Sequence, residues 1–177
     1  DALARCELVV VSDCIADTDT TRLAHVKLPA LAWGEKEGTV TNSERRISRQ
    51  RAFLPAPGEA RADWWMVCEV ARRMGFGAGF GFANAAAIFR EHAALSAFEN
   101  GDGRSRRDFD LSAVADLDDA GYAALAPFQW PWRRGEPAGQ KRLFADGRFF
   151  TGDGRARLLP LQPRGPLHPT DADWPFV

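Results

Sequence analysis

Residues able to do chemistry gather in three places along the chain. The stretch "WGEKEGTVTNSERR", Trp33 to Arg46, sets Lys36 between Glu35 and Glu37 and runs through glycine, threonine and asparagine into Arg45 and Arg46. No core needs such a run, and no simple amphipathic helix has that pattern. Ser12-Asp13 closes an apolar run, and Asp63 opens a later one. A carboxylate fixed at a strand end, as Asp13 would be, accepts two parallel hydrogen bonds from a partner with adjacent N–H groups. Guanine, with N1–H and its amino group, is the natural complement. Lys36 offers a point charge suited to a phosphate or a ring oxygen. Glu35 and Glu37 would hold that lysine in place while lowering the net positive field. The same three charges also read as an ordinary solvated turn, and pattern alone leaves both readings open.

A catalytic apparatus needs a nucleophile with its base, paired carboxylates in a cleft, or metal ligands. Ser12-Asp13 lacks the GxSxG surroundings of a nucleophile elbow. The carboxylates of "DTDTT" read as helix-cap chemistry. Cys6, Cys14 and Cys68, and His25, His92 and His168, are scattered without metal-ligand spacing. No catalytic residue and no metal ligand is therefore assigned. Three cysteines without close pairing fit a reducing compartment, so a cytoplasmic location is expected. The glycines of "GFGAGFGF" fall at 75, 77, 79 and 81 after a helix, which does not fit GxGxxG, and the stretch reads as a glycine–aromatic connector.

Composition bounds the rest. The chain of 177 residues is 45% hydrophobic and 27% charged, a globular balance with enough apolar mass for a core. A net charge of -1 gives no sign of a polyanion binder, so no nucleic-acid partner is expected. No apolar run approaches the ~20 residues of a membrane span, and no membrane association is expected. The start, "DALARCELVVVSD", has no initiator methionine and enters a strand within a few residues, as expected of a domain cut from a longer polypeptide.

The elements that must position these residues follow from periodicity. "ELVVVSD" reads as a buried strand of a parallel sheet. "DTDTTRLAH" is a short helix capped by Asp19 or Thr20, and "VKLPA" a second strand stopped by Pro29. Strand, helix, strand is a compact βαβ-like unit, and ligands collect beyond the carboxyl ends of such strands. Asp13 and the turn bearing Lys36 thus share one rim. "GTVTN" predicts a short strand, and "ERRISRQRAFL" an arginine-rich segment with Ile47 and Phe53 inward. "PAPGEARAD" is a loop by composition. Asp63 is placed to cap a helix with Val67, Val70, Ala71 and Met74 inward and Gly75 as its stop. Asn84 is placed to cap a second, with Ile88, Leu95 and Phe98 on one side and Asn100-Gly101 ending it. A charged loop, "GDGRSRRDFD", and one or two short helices follow. The expected fold class is α/β: a short parallel sheet flanked by helices, with a C-terminal extended, β-hairpin-rich tail. Residues 1–126 form part of an α/β domain. Residues 127–177 are an extended linker and a small β-meander turning at Asp146-Gly147 and Asp153-Gly154.

The run "VVVSD…AHVKLPA…WGEKEGTVTNSERR…APGEARADWW" resembles the molybdopterin oxidoreductases that carry bis-molybdopterin guanine dinucleotide, most closely over Val9 to Met74. Further on, "FENGDGR" and "QWPW" are similar to the large catalytic subunits of assimilatory nitrate reductases. Related formate dehydrogenases share the EK(E/D)GT-x-TN-x-ERR core and stay as the alternative, beside a non-catalytic domain that kept the fold. The resemblance implies that Ser12 and Asp13 bind the guanosine end of a pterin dinucleotide and that Lys36 and Asp63 also contact the cofactor. Asp63 then has two roles, helix cap and ligand acceptor. Arg45 and Arg46 are assigned to bracing Glu44 or the loop, with direct cofactor contact as the second reading. The resemblance further implies a parent enzyme reducing nitrate to nitrite, with molybdenum as its metal and an iron–sulfur cluster in an N-terminal part not seen here. A β-barrel domain would follow, and an electron-donor protein or subunit would serve it. As a piece of such an enzyme, the isolated chain is expected to bind no cofactor, to be inactive, and to self-associate through the open edge of its first strand.

Overall fold

The computed structural model describes residues 2–101 and 107–176, so residues 102–106 of the charged loop lie outside the description. The chain falls into two units, residues 1–141 and 142–177.

In the first unit, β1 (Val10–Asp13) and β2 (Val26–Pro29) pair in parallel, Val10 opposite Val26 and Asp13 opposite Pro29. A 3-10 turn at Thr21–Leu23 carries the chain between them, which gives the expected strand, short helix, strand. Its lock is not a cap by Asp19 or Thr20. The buried Thr21 hydroxyl donates to the Ala16 carbonyl (3.1 Å) and accepts from the Thr18 N–H (2.7 Å). β1 is not buried on both faces as a parallel-sheet strand usually is. Val9 is buried, whereas Leu8 and Val10 on the other face are exposed.

A second sheet is antiparallel. β3 (Gly38–Thr41) pairs with β4 (Arg46–Gln50), and β5 (Phe128–Gln129) adds to the other side of β4. Asn42 builds the hairpin turn. Its Oδ1 accepts from the N–H groups of Glu44 and Arg46, both at 3.0 Å, and Arg45 takes the left-handed conformation at φ 66°. Asparagine suits this because its side chain supplies the turn's missing acceptor. Residues 127–141, expected to begin a linker, are part of this unit through β5.

Among the described residues three α-helices complete it: α1 (Asp63–Arg73), α2 (Ala85–Ala97) and α3 (Asp119–Ala124). Gly75, at φ 91°, follows α1 where the left-handed conformation favours glycine. Asn84 caps α2, its Oδ1 accepting from the Ala87 N–H at 2.9 Å. α2 ends at Ala97, before Asn100-Gly101, and the Asn100 amide is used elsewhere. It donates to the Arg107 carbonyl (3.1 Å) and to Asp110 (3.0 Å), and accepts from the Arg107 N–H (2.7 Å).

The core forms where α2 meets β4, α3 and β5. Phe89, Ala93, Ile47, Leu111, Tyr122 and Phe128 are buried together. The inward face of α2 is Ala86, Phe89, Ala93 and Ser96, not the expected Ile88, Leu95 and Phe98. Leu95 and Phe98 are exposed. The stripe was legible only in its large side chains, whereas the close approach uses small ones. Ser96 is part of that approach: its buried hydroxyl donates to the Ala93 carbonyl (2.7 Å) and accepts from the Leu111 N–H (2.8 Å). On α1 the expected inward set is likewise only partly buried. Cys68 and Ala71 are inside, whereas Val67, Val70 and Met74 line an open apolar groove of about 430 Å³ with Leu28 and Phe76. Phe53, expected inside, is exposed at its outer side while its ring covers Gly34. A Cβ on Gly34 would lie 2.7 Å from that ring.

Asp110 is buried beside this core and makes a pH-sensitive joint. Burial works against its charge, but hydrogen bonds from the Ser112 N–H (3.0 Å), the Ser112 hydroxyl (2.7 Å) and Asn100 outweigh it and hold the carboxyl below its usual range. A depressed folded-state pKa contributes stability present above the unfolded value, roughly 3.9, and lost as pH falls through the folded value. Acid unfolding of Asp110→Asn should therefore be flatter than wild type below about pH 4, measured by urea midpoints across pH.

The second unit has its turns but no ladder. Gly147 and Gly154 sit at φ 73° and 72°, as the Asp-Gly signals predict. The second turn is closed by the Gly154 N–H on the Thr151 carbonyl (3.1 Å) and spanned by the Phe149 N–H on the Gly154 carbonyl (2.9 Å), but no strand forms among the described residues of this unit. The β-meander is thus absent. The runs between the turns are short, and Phe144 stacks on Phe149 (4.8 Å) and meets Phe150 edge-on (5.2 Å) instead of alternating across a sheet. From Arg157 to Phe176 the chain is exposed and proline-punctuated, without regular structure.

Candidate cofactor-binding site

Three of the four residues singled out by sequence converge. The Ser12 hydroxyl, at the end of β1, donates to Asp63 Oδ1 at 2.8 Å. Lys36 Nζ, on the turn after β2, donates to Asp63 Oδ2 at 3.2 Å. Asp63 stands in the first turn of α1, where the helix dipole favours an anion. It does not cap that helix: Ala62 is the N-cap position and no side chain bonds there. Both carboxylate oxygens are instead engaged by Ser12 and Lys36. Partial burial penalises the charge on Asp63, and the Ser12 and Lys36 hydrogen bonds override that penalty, so its carboxyl lies below the usual range.

Asp13 does not join them. Successive side chains of a strand point to opposite faces, so Ser12 and Asp13 necessarily diverge. Asp13 Oδ1 accepts from the Ile15 N–H at 2.9 Å, and its other oxygen accepts no hydrogen bond among the described residues. The residue lines a cavity of about 250 Å³ with Lys27, Thr21, Glu35 and Glu59. The rim therefore has two sides, with the Ser12–Lys36–Asp63 cluster on one and the Asp13 carboxylate on the other.

The turn carrying Lys36 is ordered by bonds that the sequence did not disclose. Glu35 and Glu37 do not hold the lysine. Glu35 Oε2 accepts from the Ala32 N–H (2.8 Å), and Glu37 Oε2 accepts from Arg49 (3.1 Å). Gln50 Nε2 donates to the Trp33 carbonyl (2.7 Å), and the Phe53 and Leu54 N–H groups donate to the Gly34 carbonyl (2.9 and 3.0 Å). Arg45 reaches away from Glu44 and its own turn to the 130–141 segment. Its guanidinium donates to the carbonyls of Trp130, Gln140 (3.3 Å) and Lys141 (3.2 Å) and lies over the Trp130 ring. Among the described residues no cluster of three His, Cys, Asp or Glu could hold a metal, and no helix is long and apolar enough to cross a membrane. Cys68 is buried, and Cys6 and Cys14 are exposed, all as free thiols.

Residues 1–73 match the family described as Molybdopterin oxidoreductase. The whole chain is 52% identical to a nitrate reductase of Klebsiella oxytoca, over 20% of that protein's length. It is 49% identical over 89% of its length to a nitrate reductase of Shewanella frigidimarina, covering 17% of that protein. To the F420-dependent formate dehydrogenase subunit alpha of Methanocaldococcus jannaschii it is 32% identical over 99% of its length, covering 24% of that chain. The chain thus spans about a fifth of the length of the nitrate reductases it resembles. The first 73 residues match the molybdopterin oxidoreductase family, and the similarity to these nitrate reductases continues along the rest of the chain.

Proposed function

We propose that this chain is the cofactor-binding segment of a nitrate reductase, which reduces nitrate to nitrite by oxygen-atom transfer at molybdenum. The observation that carries the reading is 52% identity to a nitrate reductase across all 177 residues, against 32% to the formate dehydrogenase. Bis-molybdopterin guanine dinucleotide, when bound, supplies the metal chemistry; the protein supplies binding and orientation.

The residues present fit such a group. Asp13 keeps an acceptor oxygen unused and lines a cavity, which suits the paired N–H groups of guanine. Ser12, Lys36 and Asp63 offer a hydroxyl, a cation and a carboxylate on the other side of the same strand end, and the Lys36 ammonium suits a phosphate. Asp13 and Ser12 would hold the guanosine end, with Lys36 and Asp63 contacting the dinucleotide beside it. None of these residues moves a proton in the reaction; each orients.

The remaining domains of the same enzyme would complete the pocket, with an iron–sulfur cluster in an N-terminal part and a barrel domain after the 127–177 segment. An electron-donor protein or subunit and a cytoplasmic location complete the reading. The chain's coverage of about a fifth of its relatives supports it. The 177-residue chain alone should hold no stoichiometric molybdenum and turn over no nitrate. A longer polypeptide containing it should reduce nitrate with reduced viologen and leave formate untouched. Formate oxidation without nitrate reduction would transfer the assignment to the formate dehydrogenases.

The isolated chain should also self-associate. The outer edge of β1 is unpaired among the described residues, and the groove beside α1 exposes Val67, Val70 and Met74. Open edges and contiguous apolar surface both favour association. Sedimentation velocity across a concentration series should show mass above the monomer; a monomer at every concentration would refute this.

A further inference from the structure

Arg49 is unusual among the charged residues of this chain. It leaves β4 with its side chain 3% exposed. NH1 donates to the Gly38 carbonyl at 2.7 Å, NH2 donates to Glu37 at 3.1 Å, and the guanidinium carbon lies 3.7 Å from the centroid of the Tyr122 ring. Its Nε is buried with no hydrogen-bond partner among the described residues. Enclosing a guanidinium with one N–H unpaired costs free energy, and stacking on an aromatic face offsets only part of it. That cost is met at one place, the exit of the turn that presents Lys36.

The turn is held at both ends from the same strand and its continuation. At the entry, Gln50 and the Phe53 and Leu54 N–H groups grip the carbonyls of Trp33 and Gly34. At the exit, Arg49 grips Glu37 and Gly38. Lys36 lies between the two grips with 29% of its side chain exposed, and its ammonium reaches Asp63. A planar, two-pronged guanidinium fixes such an exit in a way a lysine cannot, because lysine is a single point charge on a flexible stem.

We infer that Arg49 is a positioning residue: stacked on Tyr122, it fixes the exit of the 33–38 turn so that Lys36 is directed onto Asp63 at the site. The inference rests on the proposed cofactor role for what that geometry is used for, but the geometry is testable without cofactor.

The test is the titration midpoint of the Asp63 carboxyl, read by carbon-detected NMR on the 177-residue chain with no ligand added. Lys36→Ala sets the reference, a rise in the Asp63 midpoint on losing its cation. Arg49→Ala should raise it in the same direction, and adding Arg49→Ala to Lys36→Ala should raise it no further. Arg49→Lys separates positioning from charge. If Arg49 acted only through its own positive charge, lysine would restore the wild-type midpoint; positioning predicts that it does not. Glu37→Gln, at an exposed carboxylate, covers the case in which the Arg49 variants fail to fold, and its sign is diagnostic. Removing a nearby negative charge by itself lowers the Asp63 midpoint, whereas loosening the exit of the turn raises it. A rise in Glu37→Gln supports the inference. A fall there, or a wild-type midpoint in Arg49→Lys, overturns it, and neither outcome bears on whether the parent enzyme binds the cofactor.

Discussion

Phe89→Ala should destabilise the first unit by about 3–5 kcal/mol, the range for emptying a buried aromatic site. Phe89 is the largest side chain on the inward face of α2. It is 4% exposed, and its ring centroid lies 5.3 Å from that of Tyr122. Its neighbours on the helix, Ala86 and Ala93, are too small to fill the space it would leave. Ile47 of β4 and Leu111 pack in the same cluster, so the lost contacts touch both the antiparallel sheet and the helical layer. Chemical denaturation followed by tryptophan fluorescence reads the change. Leu95→Ala on the same helix should cost much less, because that side chain is mostly in water. Equal losses at the two positions would mean that the inward face of α2 is wrongly placed.

That contrast shows where sequence was informative and where it was not. Strand and helix identities were legible from local chemistry: the β-branched run ending at Asp13, the Asn84 cap and the Gly75 stop all stand where their side chains require. The inward face of α2 was not legible, because the packing surface is written in alanine and serine, which carry almost no pattern. The meander failed for a related reason. Asp-Gly signals specify a turn, but a ladder needs flanking runs long enough to pair, and these are too short.

The candidate site was legible in its members and not in its arrangement. Ser12, Lys36 and Asp63 meet, with Asp63 serving as an ion-pair partner instead of a helix cap, whereas Asp13 was the residue expected to share a face with Lys36. Asp13 lies across the strand from them, a consequence of its being adjacent to Ser12. Arg49 was missed because it belongs to an arginine-rich segment in which three other arginines, Arg45, Arg46 and Arg51, are its near neighbours, and nothing local marks the one that is enclosed. The only available signal was its alternation with Ile47 on a strand, and the burial of that strand depends on distant residues of α2 and α3.

Cofactor retention at Asp13 tests the central claim most directly. In a polypeptide long enough to bind the cofactor, Asp13→Ala should remove the acceptor pair and leave the guanine N–H groups unmatched. Loss of a charge-assisted pair of this kind costs on the order of 2–3 kcal/mol, roughly a 30- to 150-fold weakening. Asp13→Asn keeps an oxygen for the Ile15 N–H, and so keeps the turn, while setting an amide donor against guanine donors. Molybdenum and guanine nucleotide should be measured together after prolonged dialysis, beside Arg164→Ala in the exposed tail as a control. The account predicts that both Asp13 variants lose metal and nucleotide in parallel while the control keeps them; wild-type content of both in Asp13→Asn would contradict it.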